Sequence, residues 1–221
     1  MAYRIVVVGT SWGGLSALRE LVTGLPADLR VPVVLVQHRH RQSDHSMLSA
    51  LLQERTSLNV CEVEDKAPIE AGKVYVAPAD YHLLLDDDHF DLSTDEPVRY
   101  SRPSIDVTFY SAADAYGPAT VGVVLTGANS DGSRGLRRIY DRGGLTLVQE
   151  PVTAESPAMP AAALRCVPAA QVLTIAQIVE VLGTLEVDVP PAAPVLRAAR
   201  EPARESALPR TPETGAERRP S

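Results

Sequence analysis

Aromatic residues are scarce in this chain: one tryptophan, two phenylalanines and seven tyrosines make up 5% of 221 residues. They form no stripe interleaved with basic residues. Together with a formal charge of −7, this excludes a general nucleic-acid binder. Cysteine is scarcer still. Cys61 and Cys166 stand in no C-x-x-C pair, which excludes a disulfide framework and suits reduced thiols in a cytoplasmic protein. No apolar run approaches the length that spans a bilayer, so no membrane insertion is expected. The first apolar run begins at Ile5, and no signal peptide is expected. Repeats and lipidation signals are also lacking.

A hydrophobic content of 45% over this length supports one sizeable core. Residues 1–187 are expected to form one domain. From Asp188 to Ser221 the composition shifts to Pro, Ala, Arg and Glu, which predicts a disordered tail. Within the domain, β-branched runs alternate with helical patterns. Strands are expected at Ile5 onward, 31–36, 59–63, 73–78, 120–126, 145–149 and 171–173. Helices are expected after Gly14, over 46–55 with Ser43 or Asp44 as cap, after Ser104 as cap, over 136–142 and 156–165, and over 174–185 with Thr174 as cap. Tyr81–Leu85 and His89–Leu92 read as a hairpin around Asp86-Asp87-Asp88, taken as a solvated turn rather than a metal site. The fold class is α/β: a doubly wound, mostly parallel sheet with helices on both faces and an antiparallel hairpin.

The chain is organised around Ile5-Val-Val-Val-Gly9-Thr-Ser11-Trp-Gly13-Gly14, a buried strand, a glycine turn and then a helix. Gly9-Thr-Ser11-Trp-Gly13 fits the nucleophile pattern G-x-S-x-G. A serine hydroxyl attacks well only when held at a turn, near a base and near free backbone N–H groups. Flanking glycines permit such a turn and let a substrate carbonyl approach the main chain. A phosphate cradle is the competing reading of a glycine-rich strand–helix turn. However, the spacing is not G-x-G-x-x-G, and the second strand ends in Gln37-His38 where a ribose-binding acid would stand.

Ser11, His38 and Asp131 each follow a predicted parallel strand, so they share the ligand-binding edge of the sheet. Their chemistry is that of a nucleophile, a general base and the group that orients it. The chain order Ser, His, Asp differs from the Ser, Asp, His of α/β-hydrolases. His38, His40 and His45 raise a zinc alternative, but no Cys or Glu completes the set, and no metal or cofactor is expected. Trp12, beside the serine, either packs inward or lines the mouth of the site.

Several motifs in order resemble the catalytic domain of the bacterial chemotaxis protein-glutamate methylesterases (CheB-type). They are Gly9-Thr-Ser11-Trp-Gly-Gly14, Val36-Gln37-His38, Gly72-Lys-Val-Tyr-Val-Ala-Pro78 with His82, Arg102-Pro-Ser-Ile-Asp106, Leu125-Thr-Gly-Ala-Asn-Ser-Asp131-Gly132 and Met159-Pro160. The resemblance spans residues 5–185. It implies a cofactor-free serine hydrolase acting on glutamyl methyl esters of methylated chemoreceptor helices in the cytoplasm, with glutamine deamidation in some members. It places the triad on Ser11, His38 and Asp131, and the substrate and oxyanion region on Trp12, Gly13, Ala128 and Asn129.

The chain departs from that family pattern in three ways. Trp12 replaces a small hydroxyl residue, Ala128-Asn129 replaces Met-Gly, and the usual receiver domain has no counterpart. The last predicts activity without phosphorylation, or a separate response regulator as partner. Trp12 and Asn129 leave open a second reading, a weak relative that binds receptors or a signalling partner as a scaffold. Arg39, Arg41, Arg102 and Arg134 flank the motif loops and predict a locally positive rim.

Overall fold

A computed structural model describes residues 2–43 and 46–187. The tail expected over 188–221 lies outside the described residues, as do Asp44 and His45. The first strand, Ile5–Thr10 (β1), is buried along its whole length. Its side chains alternate between two cores. Val6 and Val8 join one, and Ile5 and Val7 join the other. A strand buried on both faces needs apolar residues at every position, and the β-branched run supplies them.

The chain continues through α1 (Gly14–Gly24), β2 (Val33–Gln37), α2 (Met47–Gln53), β3 (Asn59–Glu62) and β4 (Lys73–Val76). A hairpin of β5 (His82–Leu85) and β6 (Phe90–Ser93) follows. Then come α3 (Ile105–Tyr116), β7 (Thr120–Val124), α4 (Ser133–Asp141), β8 (Leu145–Gln149), α5 (Ala158–Cys166), β9 (Gln171–Leu173) and α6 (Ile175–Gly183). Seven strands form one sheet in the order β3-β4-β2-β1-β7-β8-β9, and each neighbouring pair is parallel. The path leaves β1 toward β2 and returns on β1's other side as β7. That reversal opens a crevice at the carboxyl ends of β1 and β7, where ligands of such sheets bind.

Leu18, Leu21, Leu52 and Ile178 seal one face of the sheet, from α1, α2 and α6. Phe90, Phe109, Leu136 and Met159 seal the other, from the hairpin, α3, α4 and α5. Each such burial stabilises the fold by about 1.5–3 kcal/mol. No described helix is long and apolar enough to cross a membrane.

The hairpin is fastened to α3. Thr108 Oγ1 donates to the Leu83 carbonyl at 2.8 Å, and the Leu85 N–H donates to Ser111 Oγ at 3.0 Å. At its corner the Tyr116 hydroxyl donates to the Asp86 and Asp87 carbonyls at 3.0 Å. Asp86, His89 and Asp91 bring their polar atoms within 4.8 Å of one another there, and the Lys66 ammonium pairs with Asp91.

The sequence misplaced one helix cap and one helix start. The N-cap of α2 is Ser46 rather than Ser43 or Asp44. Helix α4 begins at Ser133, nearly a turn before the expected Leu136. There Gly132 enters the helix with φ of 86°, in the left-handed region that glycine reaches without a steric penalty. The expected caps Ser104 and Thr174 do cap α3 and α6, through Val107 N–H and Gln177 N–H.

Candidate active site

Ser11 follows the last residue of β1, and His38 follows the last residue of β2. Backbone bonds continue the sheet past both ends. Ser11 N–H donates to the Thr126 carbonyl at 2.9 Å, and His38 N–H donates to the Thr10 carbonyl at 3.1 Å. Asp131 arrives on the loop between β7 and α4. The three side chains meet in line, with His38 Nδ1 3.2 Å from Ser11 Oγ and His38 Nε2 2.8 Å from Asp131 Oδ2. The ring nitrogens serve in the sense opposite to chymotrypsin, where Nε2 faces the serine.

Asp131 has no exposed surface. Besides His38, its carboxylate accepts from Ile105 N–H at 2.7 Å, Gly132 N–H at 3.0 Å, Asp106 N–H at 3.1 Å and Ser104 Oγ at 3.1 Å. Three of these donors open α3, whose positive dipole end therefore points at the carboxylate. Burial alone would push the Asp131 carboxyl up. The hydrogen bond and charge of His38 and the backbone N–H groups prevail, and hold it below the usual carboxylate range. An ionised Asp131 can only accept. His38 therefore carries its proton on Nε2, and its Nδ1 lone pair faces the serine.

Ser104, Ile105 and Asp106 thus hold the third member of the line, although the sequence marked Ser104 as a cap and as part of the Arg102–Asp106 motif rather than as a ligand of Asp131. Behind them, Ser104 N–H donates to His82 Nδ1 at 3.2 Å, and His82 Nε2 faces the Glu96 carbonyl at 3.2 Å. The signal for this support was the run Ser-Ile-Asp at a helix start, since a helix N-terminus is a ready anion site.

Asp106 is itself buried and accepts Gly135 N–H at 2.7 Å. Burial raises its carboxyl above the usual range, the Gly135 bond opposes this, and the negative Asp131 adds to the rise. A raised folded-state value means stability that is full below the unfolded value of about 3.9 and is lost as pH rises through the folded value. Asp106→Asn removes that loss while its amide oxygen can still accept the Gly135 N–H. The melting temperature of the variant minus that of the parent is expected to rise between pH 4 and pH 7. A difference that stays constant across this range would show that Asp106 does not titrate abnormally.

Glycines at the turn have separate tasks. Gly13 is left-handed, with φ of 78°. Ser11 is absent from the positive-φ residues, so the strained nucleophile of an α/β-hydrolase elbow is not reproduced here. Gly9 makes room rather than a turn, because a Cβ there would lie 2.3 Å from Ile105 Cγ2. A Cβ on Gly14 would lie 2.0 Å from Gln37 Oε1. The freed space lets the Gln37 amide donate to both the Ser11 carbonyl at 2.8 Å and the His38 carbonyl at 3.0 Å. One side chain therefore spans the nucleophile and the base. The sequence used Gln37 to argue against a dinucleotide site and as part of the Val36-Gln37-His38 motif, not as a positioning residue.

Trp12 is 66% exposed, so its ring lies outside the core. Its carbonyl accepts from Thr126 Oγ1 at 2.9 Å, and that hydroxyl also accepts Ser156 N–H at 2.8 Å. Ala128 and Asn129 are exposed on the loop that leads to Asp131. The backbone N–H groups of Trp12, Gly13 and Ala128 donate to no acceptor among the described residues.

Two arginines of the expected rim are engaged. The Arg39 side chain is 7% exposed and pairs with Glu62 at 3.2 Å, and Arg102 binds Asp80 at 2.7 Å with further bonds to the Thr94 and Asp95 carbonyls. Arg41 also reaches Asp80, at 3.4 Å, but is 68% exposed. Of the proposed zinc ligands, His38 is committed to the Ser11–Asp131 line, and His40 Nδ1 accepts Gln42 N–H at 3.2 Å.

The profile of the family described as CheB methylesterase matches residues 6–182. The chain belongs to the CheB methylesterase family. A Leptospira interrogans protein is 41% identical over 187 residues, covering 84% of this chain and 96% of that one. A Nocardioides protein named protein-glutamate methylesterase/protein-glutamine glutaminase is 41% identical over 72% of this chain and 44% of its own length. The crystal structure of the Thermotoga maritima CheB methylesterase catalytic domain superposes with a TM-score of 0.78 at 32% identity. It covers 82% of this chain and 98% of that one. The observed CheB fold is the α/β architecture expected from the sequence, including the antiparallel hairpin.

Proposed function

We propose that this chain is a serine hydrolase of protein glutamyl methyl esters, with Ser11 as nucleophile, His38 as proton carrier and Asp131 as the group that orients His38. The observation that carries the assignment of residues is the unbroken line from Ser11 Oγ through His38 to buried Asp131, at 3.2 and 2.8 Å. Ser11 Oγ bonds to the ester carbon while its proton passes to His38 Nδ1 and the carbonyl pair moves to oxygen. Collapse breaks the bond to the methoxy oxygen, which takes that proton and leaves as methanol. Water attacks the glutamyl-serine ester by the same route and restores Ser11. Asp131 stays ionised and stabilises the imidazolium formed on the way. A glutamine amide fits the same sequence of steps, with ammonia leaving in place of methanol.

The substrate is a methylated cytoplasmic helix of a chemoreceptor or a similar signalling protein, and a separate response regulator is the natural partner. The side-chain stem of the glutamyl ester would lie along Trp12, whose exposed ring offers an apolar edge beside the nucleophile. The scaffold reading is less favoured, because a mere binding surface does not need a fully hydrogen-bonded buried carboxylate behind a histidine.

Two measurements test the proposal. Purified protein should release methanol from a methyl-esterified receptor fragment, and a fluorophosphonate should label Ser11 stoichiometrically. An unlabelled Ser11 in folded protein would exclude an activated serine.

Trp12 adds a separate expectation. On Ser11→Ala protein, saturating methyl-ester substrate should change the fluorescence of this one tryptophan. Trp12→Thr should alter turnover yet cost only about 0.5 kcal/mol of stability, as for an exposed side chain. An unchanged emission together with a large fall in melting temperature would return Trp12 to a packing role.

A further inference from the structure

Asn129 stands beside the reacting atoms in a fixed orientation. Its Oδ1 accepts Asp131 N–H at 3.0 Å, which turns its Nδ2 toward His38 Nδ1 at 3.4 Å. Ser11 Oγ faces the same nitrogen at 3.2 Å. In the free protein, two donors thus share one lone pair. That arrangement cannot survive the first chemical step. Once the Ser11 proton has moved to Nδ1, this nitrogen is a donor, and the Asn129 N–H facing it has lost its acceptor. At that moment the carbonyl oxygen of the substrate, bonded through carbon to Ser11 Oγ, acquires negative charge.

We propose that the Asn129 side-chain amide is a catalytic hydrogen-bond donor that passes from His38 Nδ1 to the developing oxyanion. It supplements backbone N–H groups left unpaired around the nucleophile, such as those of Trp12 and Ala128. The glycine usual at this position of the CheB pattern has no side chain to offer, so the donor belongs to this chain's own sequence. A bond gained only as charge develops lowers the barrier without tightening ground-state binding, and so appears in kcat rather than in KM. The inference rests on the serine-hydrolase reading above, and it concerns the ratio of variant to parent rather than the activity of the parent.

Asn129→Gly, Asn129→Ala and Asn129→Asp separate the donor from a role in holding the loop. Aspartate keeps the size of asparagine and the oxygen that accepts Asp131 N–H, but it has no N–H to give. Kinetics are measured with the methyl-esterified receptor fragment and with p-nitrophenyl acetate, and the rate of fluorophosphonate labelling at Ser11 is followed alongside. All three variants are expected to lose about 10- to 10²-fold in kcat and in labelling rate, with KM within about two-fold of the parent. Asn129→Asp should be at least as slow as Asn129→Gly, since a carboxylate would repel the oxyanion. Melting temperatures near the parent's would exclude general unfolding. Parent-like rates for Asn129→Asp would mean that only the loop bond matters. Faster rates for Asn129→Gly would mean that the amide merely occupies the base. Either result overturns the proposal. A parent that neither labels nor hydrolyses removes the hydrolase reading itself, and this inference with it.

Discussion

Asp131→Asn is expected to lose both turnover and stability, whereas Ser11→Ala loses turnover alone. Every group around the Asp131 carboxylate is a donor: one ring nitrogen, three backbone N–H groups and the Ser104 hydroxyl. An asparagine offers one oxygen and must turn its NH2 toward donors on the other side. Left unpaired in a buried site, those groups should cost about 2 kcal/mol or more. The imidazole would also lose the partner that keeps its proton on Nε2. Ester hydrolysis should fall about 10³- to 10⁴-fold for Asp131→Asn, and about 10⁴-fold or more for Ser11→Ala or His38→Ala. Methanol release and thermal melts of the three variants provide the check. If folded Asp131→Asn kept near-normal turnover, Asp131 would not be the orienting group.

Gly14→Ala should be nearly as damaging, although Gly14 touches no substrate. A methyl there would meet Gln37 Oε1 at 2.0 Å and Thr10 Oγ1 at 2.7 Å. Gln37 would have to swing away, leaving the Ser11 and His38 carbonyls without their shared donor. Overpacking of this kind costs about 1–3 kcal/mol. A shift of about 1 Å between nucleophile and base would lower kcat by about 10²-fold. The double variant Gly14→Ala/Gln37→Ser relieves the clash with Gln37, though not the one with Thr10 Oγ1, and does not restore the lost clamp. Its melting temperature should recover in part while its turnover stays low. Parent-like turnover in the double variant would show that Gln37 does not position the pair.

Much of this molecule was legible from neighbouring residues alone. The β-branched runs at Ile5 and Val33 mark strands because a strand buried on both faces needs apolar side chains at every position. Ser104 and Thr174 mark helix starts because their hydroxyls satisfy N–H groups three residues on. Strand–helix alternation implies a parallel sheet, and a parallel sheet places Ser11, His38 and Asp131 on one edge. The cap of α2 at Ser46 and the start of α4 at Ser133 depended on loop paths that local pattern does not specify.

Other features arise only between distant segments. His38 and Asp131 lie 93 positions apart, and the Ile105 and Asp106 N–H groups that join His38 in lowering the Asp131 carboxyl come from a third segment. Arg39 reads as a rim charge until the fold carries Glu62 to it. Trp12 could face either way until the Thr126 hydroxyl, just after β7 and braced by Ser156 N–H, held its carbonyl and the fold left its ring outside the core. Gly9 resembles a turn residue, yet its missing side chain is space for Ile105. By itself the sequence determined the strands, the fold class and the three residues of the line, because periodicity, capping and turn chemistry act over a few residues. The tertiary structure alone decided which nitrogen faces the serine, what holds Asp131, and which glycines are spaces rather than turns. Hydrogen-bond geometry and close packing are set by whichever segments meet, and that meeting is a property of the whole chain.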